Sequence, residues 1–128
     1  MMNNIFKREN TTISILGTDY KIQFMSYDED SEFGSRNAAA LCNCMTKTIL
    51  VCIIESEPDY VERSEEYLSA FYREVIRHEI IHAFLYESGL DSESHSNSSS
   101  WANDEEIIDW IAIQFPKIKK VYEKLDLI

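Results

Sequence analysis

Between Pro58 and Gly89 no glycine or proline interrupts the chain, and that stretch constrains the fold more than any other. "PDYVE" places Asp59 and Glu62 at capping-box spacing and Ser64 is a second N-cap candidate, so a helix starts between 59 and 65. Gly89 suits a left-handed residue just past the helix end, which gives a helix of about 25 residues to Ser88. Phe71, Val75, His78, His82 and Leu85 follow steps of four, three, four and three and share one face. Ile76, Ile80, Ile81, Ala83 and Phe84 cover much of the remaining circumference, so this helix is buried on several sides. The rest of the chain must pack around it.

The segments before the helix are strand-like. "TTISIL" and "YKIQFMSY" are rich in β-branched and aromatic residues, with Gly17 and Asp19 as turn formers between them, so 11–27 reads as a hairpin. After the polar stretch "DEDSEFGSRN", the runs "AAALCNCM" and "TILVCII" flank Thr46 and Lys47 as a second hairpin. Beyond the long helix, "DSESHSNSSS" has the composition of an exposed loop. Asn103 and Glu106 form another capping-box pattern, opening a helix that runs to about Gln114 before Pro116 breaks or restarts it. "PKIKKVYEKL" then reads as a short amphipathic C-terminal helix carrying Ile118, Val121, Tyr122 and Leu125 at helical spacing. The expected class is α+β: a small, mostly antiparallel sheet of two N-terminal hairpins, packed on a long helix, a second helix and a short third one. Length 128 fits a single domain.

Composition narrows the partners. Twelve Lys and Arg against 23 Asp and Glu give a net charge of -11, which repels nucleic acid and anionic membrane. No window is apolar enough to span a bilayer, and "MMNNIFKREN" lacks the features of a secretory signal, so the chain is expected in the cytoplasm. The oligomeric state is not legible. Three cysteines make an odd number, against a disulfide framework. Cys42 and Cys44 are one residue apart, closer than zinc-knuckle spacing, and are expected with Cys52 to be buried structural thiols.

Chemistry concentrates in "HEIIH". His78 and His82 lie one turn apart on a buried face, where each ring nitrogen needs a partner, and one metal ion can serve both. Glu79 flanks the pair, about 60° from His82 on the helical wheel. This is the H-E-x-x-H pattern, in which two histidines bind Zn²⁺ and the glutamate is the general base of a metalloprotease. A catalytic zinc wants a third protein ligand. The extended pattern with a third histidine fails, because Leu85 and Ser88 stand at the required Gly and His positions. In "SWANDEEIIDWIAIQF", Trp101, Glu105, Ile108, Ala112 and Phe115 share a face, so Glu105 is the carboxylate set into the apolar stripe. Glu105 is therefore the first choice of third ligand, with Glu106 and His95 as alternatives. Asp109, one turn after Glu105, can accept a hydrogen bond from the far nitrogen of a metal-bound histidine. His95 and Tyr86 are the nearby candidates for stabilising an oxyanion.

"HEIIH" followed by "DEEIID" resembles the gluzincin metallopeptidases, whose next helix carries N-E-x-x-x-D; Asp104 stands where that family has Asn. The resemblance places the ligand on Glu105 and its supporting carboxylate on Asp109. From about Thr12 onward the chain is similar to small uncharacterised metallopeptidase-like proteins of phages and prophages of Gram-positive bacteria, which implies a minimal zincin-like fold and, for a phage-encoded chain, the host cytoplasm. It also implies that one strand of the 37–54 hairpin pairs with an extended peptide substrate. The expected function is zinc-dependent peptide hydrolysis, with Glu79 activating a zinc-bound water and a peptide or protein as substrate. The rival expectation is an acidic zincin-scaffold binding protein or inhibitor directed at a basic host protein, with little or no catalysis. A non-peptidase zinc hydrolase is a third.

Overall fold

The computed structural model describes residues 5–90 and 104–128. In chain order it contains β1 (Thr11–Ile15), β2 (Thr18–Ser26), a short helix α1 (Ser31–Arg36), β3 (Ala40–Asn43), β4 (Thr48–Ile53), the long helix α2 (Glu65–Glu87) and α3 (Glu105–Lys124). The architecture is α+β, as the sequence implies. The described strands form a sheet in the order β1-β2-β4-β3. Each hairpin is antiparallel internally, and the two are joined by a parallel pairing of β2 with β4. The first hairpin turns on Leu16 and Gly17, both at positive φ (50° and 88°), the two-residue turn whose twist matches the flanking strands.

The second hairpin is shorter than its apolar run suggests. The Asn43 side chain accepts hydrogen bonds from the amides of Met45 and Thr46, both at 3.1 Å, which diverts the backbone into a turn and ends β3 there. The polar stretch before it also holds more structure than expected. Asp30 caps α1 by accepting from the Glu32 amide at 2.8 Å, and Asn37 ends it in the left-handed conformation. On this short helix Phe33 is the buried residue. It packs with Leu41 and Cys52 on one face of the sheet, a small second core. By carrying the chain across that face, α1 lets β4 return in the direction of β2.

The main core lies on the other face, against α2. Strand alternation sends Ile15, Tyr20, Ile22, Ala40, Ile49 and Val51 to that side, where they meet Leu68, Tyr72, Ile76 and Ala83 of the helix. Ser64 caps α2 by accepting from the Tyr67 amide at 3.1 Å. At the other end Gly89 (φ 85°) donates to the Tyr86 carbonyl and Leu90 to that of Leu85, the paired bonds of a Schellman motif. Glu87 in the last turn accepts from Thr18 Oγ1 (3.0 Å), the Tyr20 hydroxyl (2.6 Å) and Lys47 Nζ (2.6 Å). The helix is thereby fixed to both hairpins. No helix among the described residues is long and apolar enough to cross a membrane.

The last helix departs from expectation. Pro116 neither breaks nor restarts the last helix: α3 runs unbroken through it, so there is no separate short C-terminal helix. The reason is a substitute donor. Proline removes the N–H that would bond the carbonyl four residues earlier, that of Ala112. Arg77 of α2 donates its Nε–H to this carbonyl at 2.7 Å, and Ala112 is almost fully buried. Replacing Arg77 with methionine keeps the aliphatic stem and strands the carbonyl, at a cost of about 1–3 kcal/mol in urea unfolding. In a Pro116→Ala background the restored amide satisfies Ala112, so the same replacement should cost markedly less. Equal costs in both backgrounds would contradict this explanation.

Candidate metal centre

His78 and His82 leave α2 on the side covered by the start of α3. Ile108 and Ala112 of α3 are buried, and the Arg77 bond fixes the axial register of the two helices. Asp104 caps α3 by accepting from the amides of Glu106 and Ile107 at 2.9 and 3.4 Å, so Glu105 opens the helix beside the middle of α2. The Nε2 atoms of His78 and His82 stand 3.2 Å apart. Glu105 bridges them, Oε2 at 2.9 Å from His78 Nε2 and Oε1 at 2.9 Å from His82 Nε2. The three side chains form a cluster whose ligand atoms all lie within 4.8 Å of one another.

The donor set fits a metal ion. Two nitrogens on one tetrahedral ion, with bonds of about 2.0–2.1 Å, lie roughly 3.3 Å apart, close to the spacing seen here. Charge points the same way. His78 Nδ1 is 2.6 Å from Asp109 Oδ1, and donating its N–H there leaves Nε2 as an acceptor. That acceptor faces a carboxylate oxygen and a second imidazole nitrogen, an arrangement that requires a cation or a shared proton among the three. Asp109 is thus placed to fix the tautomer and ring orientation of His78. Replacing Asp109 with alanine should weaken metal binding roughly 10- to 100-fold, measured by chelator competition. Unchanged affinity would remove Asp109 from the site.

Glu79 belongs to the site without belonging to the cluster. Its Oε2 lies 3.9 Å from His78 Nε2, and the residue is buried, only 8% exposed. Burial pushes its carboxyl up to about 7; the electrostatic interaction with His78 opposes this, Glu105 adds to it, and a hydrogen bond from the Cys42 backbone amide of β3 opposes it. Its partner from β3 also shows how the sheet enters the site: a cleft of about 450 Å³ has His78, Glu79, His82 and Glu105 on one side and β3 residues, Cys42 among them, on the other.

Several expectations need adjusting. Glu105 is not a buried carboxylate in an apolar stripe: its side chain is 65% exposed and reaches the histidines from the helix start, while Phe115 of the same stripe is also exposed. Glu106 is exposed and is not in the metal-capable cluster. His95 lies outside the described residues, as do Trp101 and Asn103. Tyr86 lines the cleft, its hydroxyl 3.4 Å from Met45 Sδ. Of the cysteines only Cys52 is buried; Cys42 and Cys44 are half-buried thiols. Strand alternation puts Cys42 on the same face of β3 as the core residue Ala40, and Cys44 lines the cleft from the turn that follows.

The chain matches no protein-family model, no curated protein and no solved structure to which it was compared.

Proposed function

We propose that this chain is a zinc-dependent peptidase in which His78, His82 and Glu105 hold the metal and Glu79 is the general base. The observation that carries this reading is the placement of Glu79: a buried carboxyl beside a three-ligand cluster it does not join. A purely structural metal site has no use for such a group, and burying it is costly. Two imidazoles and a carboxylate suit Zn²⁺, with a position left open. The bound ion supplies Lewis acidity, which lowers the pKa of water and polarises a carbonyl.

The protein's own residues do the remaining work. Glu79 takes a proton from the attacking water and returns it to the leaving nitrogen as the peptide bond breaks. Asp109 holds the His78 ring so that Nε2 faces inward. β3 lies at the edge of the described sheet and lines the cleft, so an extended peptide can pair along it as an added strand.

The test is incubation of zinc-loaded and chelator-stripped protein with a peptide mixture, followed by mass spectrometry of the new termini. Cleavage that follows zinc supports the reading. Tight, salt-sensitive binding of basic proteins without cleavage supports an acidic binding protein instead, the reading favoured by a net charge of -11.

A further inference from the structure

Cys42 and Cys44 are not used by the proposed hydrolysis, yet both line the cleft. They are two residues apart and turn the same way, and their Sγ atoms are 3.5 Å apart. Cys42 also packs against the main core, and Cys44 hydrogen-bonds with the Tyr20 hydroxyl. Two chemistries suit adjacent thiols, a disulfide and a shared soft cation, and geometry separates them.

A disulfide requires the sulfurs to close to about 2.05 Å and the Cα atoms to lie within roughly 4.4–6.8 Å. Cys42 is on β3 and Cys44 in the turn that follows it, and closing the bond would draw their sulfurs, now 3.5 Å apart, together by about 1.5 Å. Closing the bond would pull Asn43 out of register with Thr48, and with it the side chain that binds the Met45 and Thr46 amides. A cation asks for less movement. With metal–sulfur bonds of about 2.3 Å, two thiolates on a tetrahedral ion sit roughly 3.8 Å apart, a few tenths of an ångström from the spacing present. The Met45 thioether lines the same cleft and is a further soft donor.

We propose that Cys42 and Cys44 form a second metal seat, selective for thiophilic cations such as Cd²⁺, Zn²⁺ or Cu⁺, on the β3 wall of the cleft. Each thiol releases its proton to solvent as it binds. Neither sulfur is part of the His78, His82 and Glu105 cluster, so the two seats differ in donor chemistry and can be loaded separately. The proposal does not depend on the peptidase reading. Its consequence is steric: an ion held there occupies space that any ligand of the cleft would enter.

Titration of the whole protein with Cd²⁺, followed by the thiolate-to-cadmium charge-transfer absorbance, tests it. The expected result is a saturable band, with binding at least tenfold weaker in Cys42→Ser and in Cys44→Ser, and unchanged in Cys52→Ser and His78→Ala. No band in the wild type, or a band that survives the Cys42→Ser/Cys44→Ser double replacement, would overturn the seat. A band lost equally in His78→Ala would mean one shared ion and would overturn its separateness. Alkylation of the unmutated protein gives the same answer without relying on variant folding: Cd²⁺ should protect Cys42 and Cys44 from iodoacetamide, and undiminished labelling contradicts the proposal.

Discussion

Replacing Glu79 with glutamine should leave the metal bound and lower peptide hydrolysis by roughly 10²- to 10⁴-fold. The change is nearly isosteric, and the amide oxygen can still accept from the Cys42 backbone N–H, so the packing of α2 against β3 is kept. The metal is kept because its three candidate ligands are His78, His82 and Glu105. What is lost is a group able to take a proton and give it back. The loss should appear in kcat with KM little changed, since the role proposed for Glu79 is at the reacting atoms and not in binding the substrate. Wild-type turnover in the variant would show that the base is elsewhere; loss of the metal would show that Glu79 is a ligand.

The second large effect concerns the root of the same helix. Tyr72→Ala should destabilise the fold by about 3–5 kcal/mol, a large part of the 5–15 kcal/mol typical of a domain. The residue is 1% exposed, and its ring meets those of Phe6, Phe24 and Phe71 at centroid distances of 6.3, 5.9 and 5.7 Å. The Arg8 guanidinium lies 4.5 Å from its centroid. Its hydroxyl accepts from the Ile54 amide at 3.1 Å and donates to Glu55 at 3.0 Å, joining the end of β4 to α2. Burial, with the hydrogen bond to Glu55, pushes the phenol's pKa up to about 12 against the opposing Ile54 amide, so it stays a donor throughout the neutral range. Tyr72→Phe isolates the polar part and should cost about 1–3 kcal/mol by stranding the Ile54 amide. A urea midpoint for Tyr72→Ala near that of wild type would mean that α2 is held by other contacts.

The parts of this molecule that were legible in its sequence are those fixed by local chemistry. Caps and a C-terminal glycine bound α2 because Ser64 and Gly89 satisfy backbone groups within a few residues of themselves. His78 and His82 are paired by helical repeat alone, and Glu105 and Asp109 by the same repeat on the next helix. What the sequence left hidden depends on contacts between distant segments. Pro116 reads as a breaker until Arg77, from another helix, supplies the missing donor. The parallel pairing of β2 and β4 has no local signal, because it follows from where α1 takes the chain. α1 itself is too short for periodicity to reveal, and depends on Phe33 filling the outer face. The exposure of Glu105 has a related cause: a residue at a helix start can reach its partners without being covered by its own helix's apolar stripe.

The most direct measurement is the zinc content of purified protein carrying Glu105→Ala or Glu106→Ala, compared with its parent. Placing all three in a Cys42→Ser/Cys44→Ser background confines the readout to the histidine and glutamate ligands. The expected result is stoichiometric zinc in the parent and in Glu106→Ala, and its loss in Glu105→Ala. Zinc retained in Glu105→Ala and lost in Glu106→Ala, or absent from every preparation, would contradict the metal centre described above.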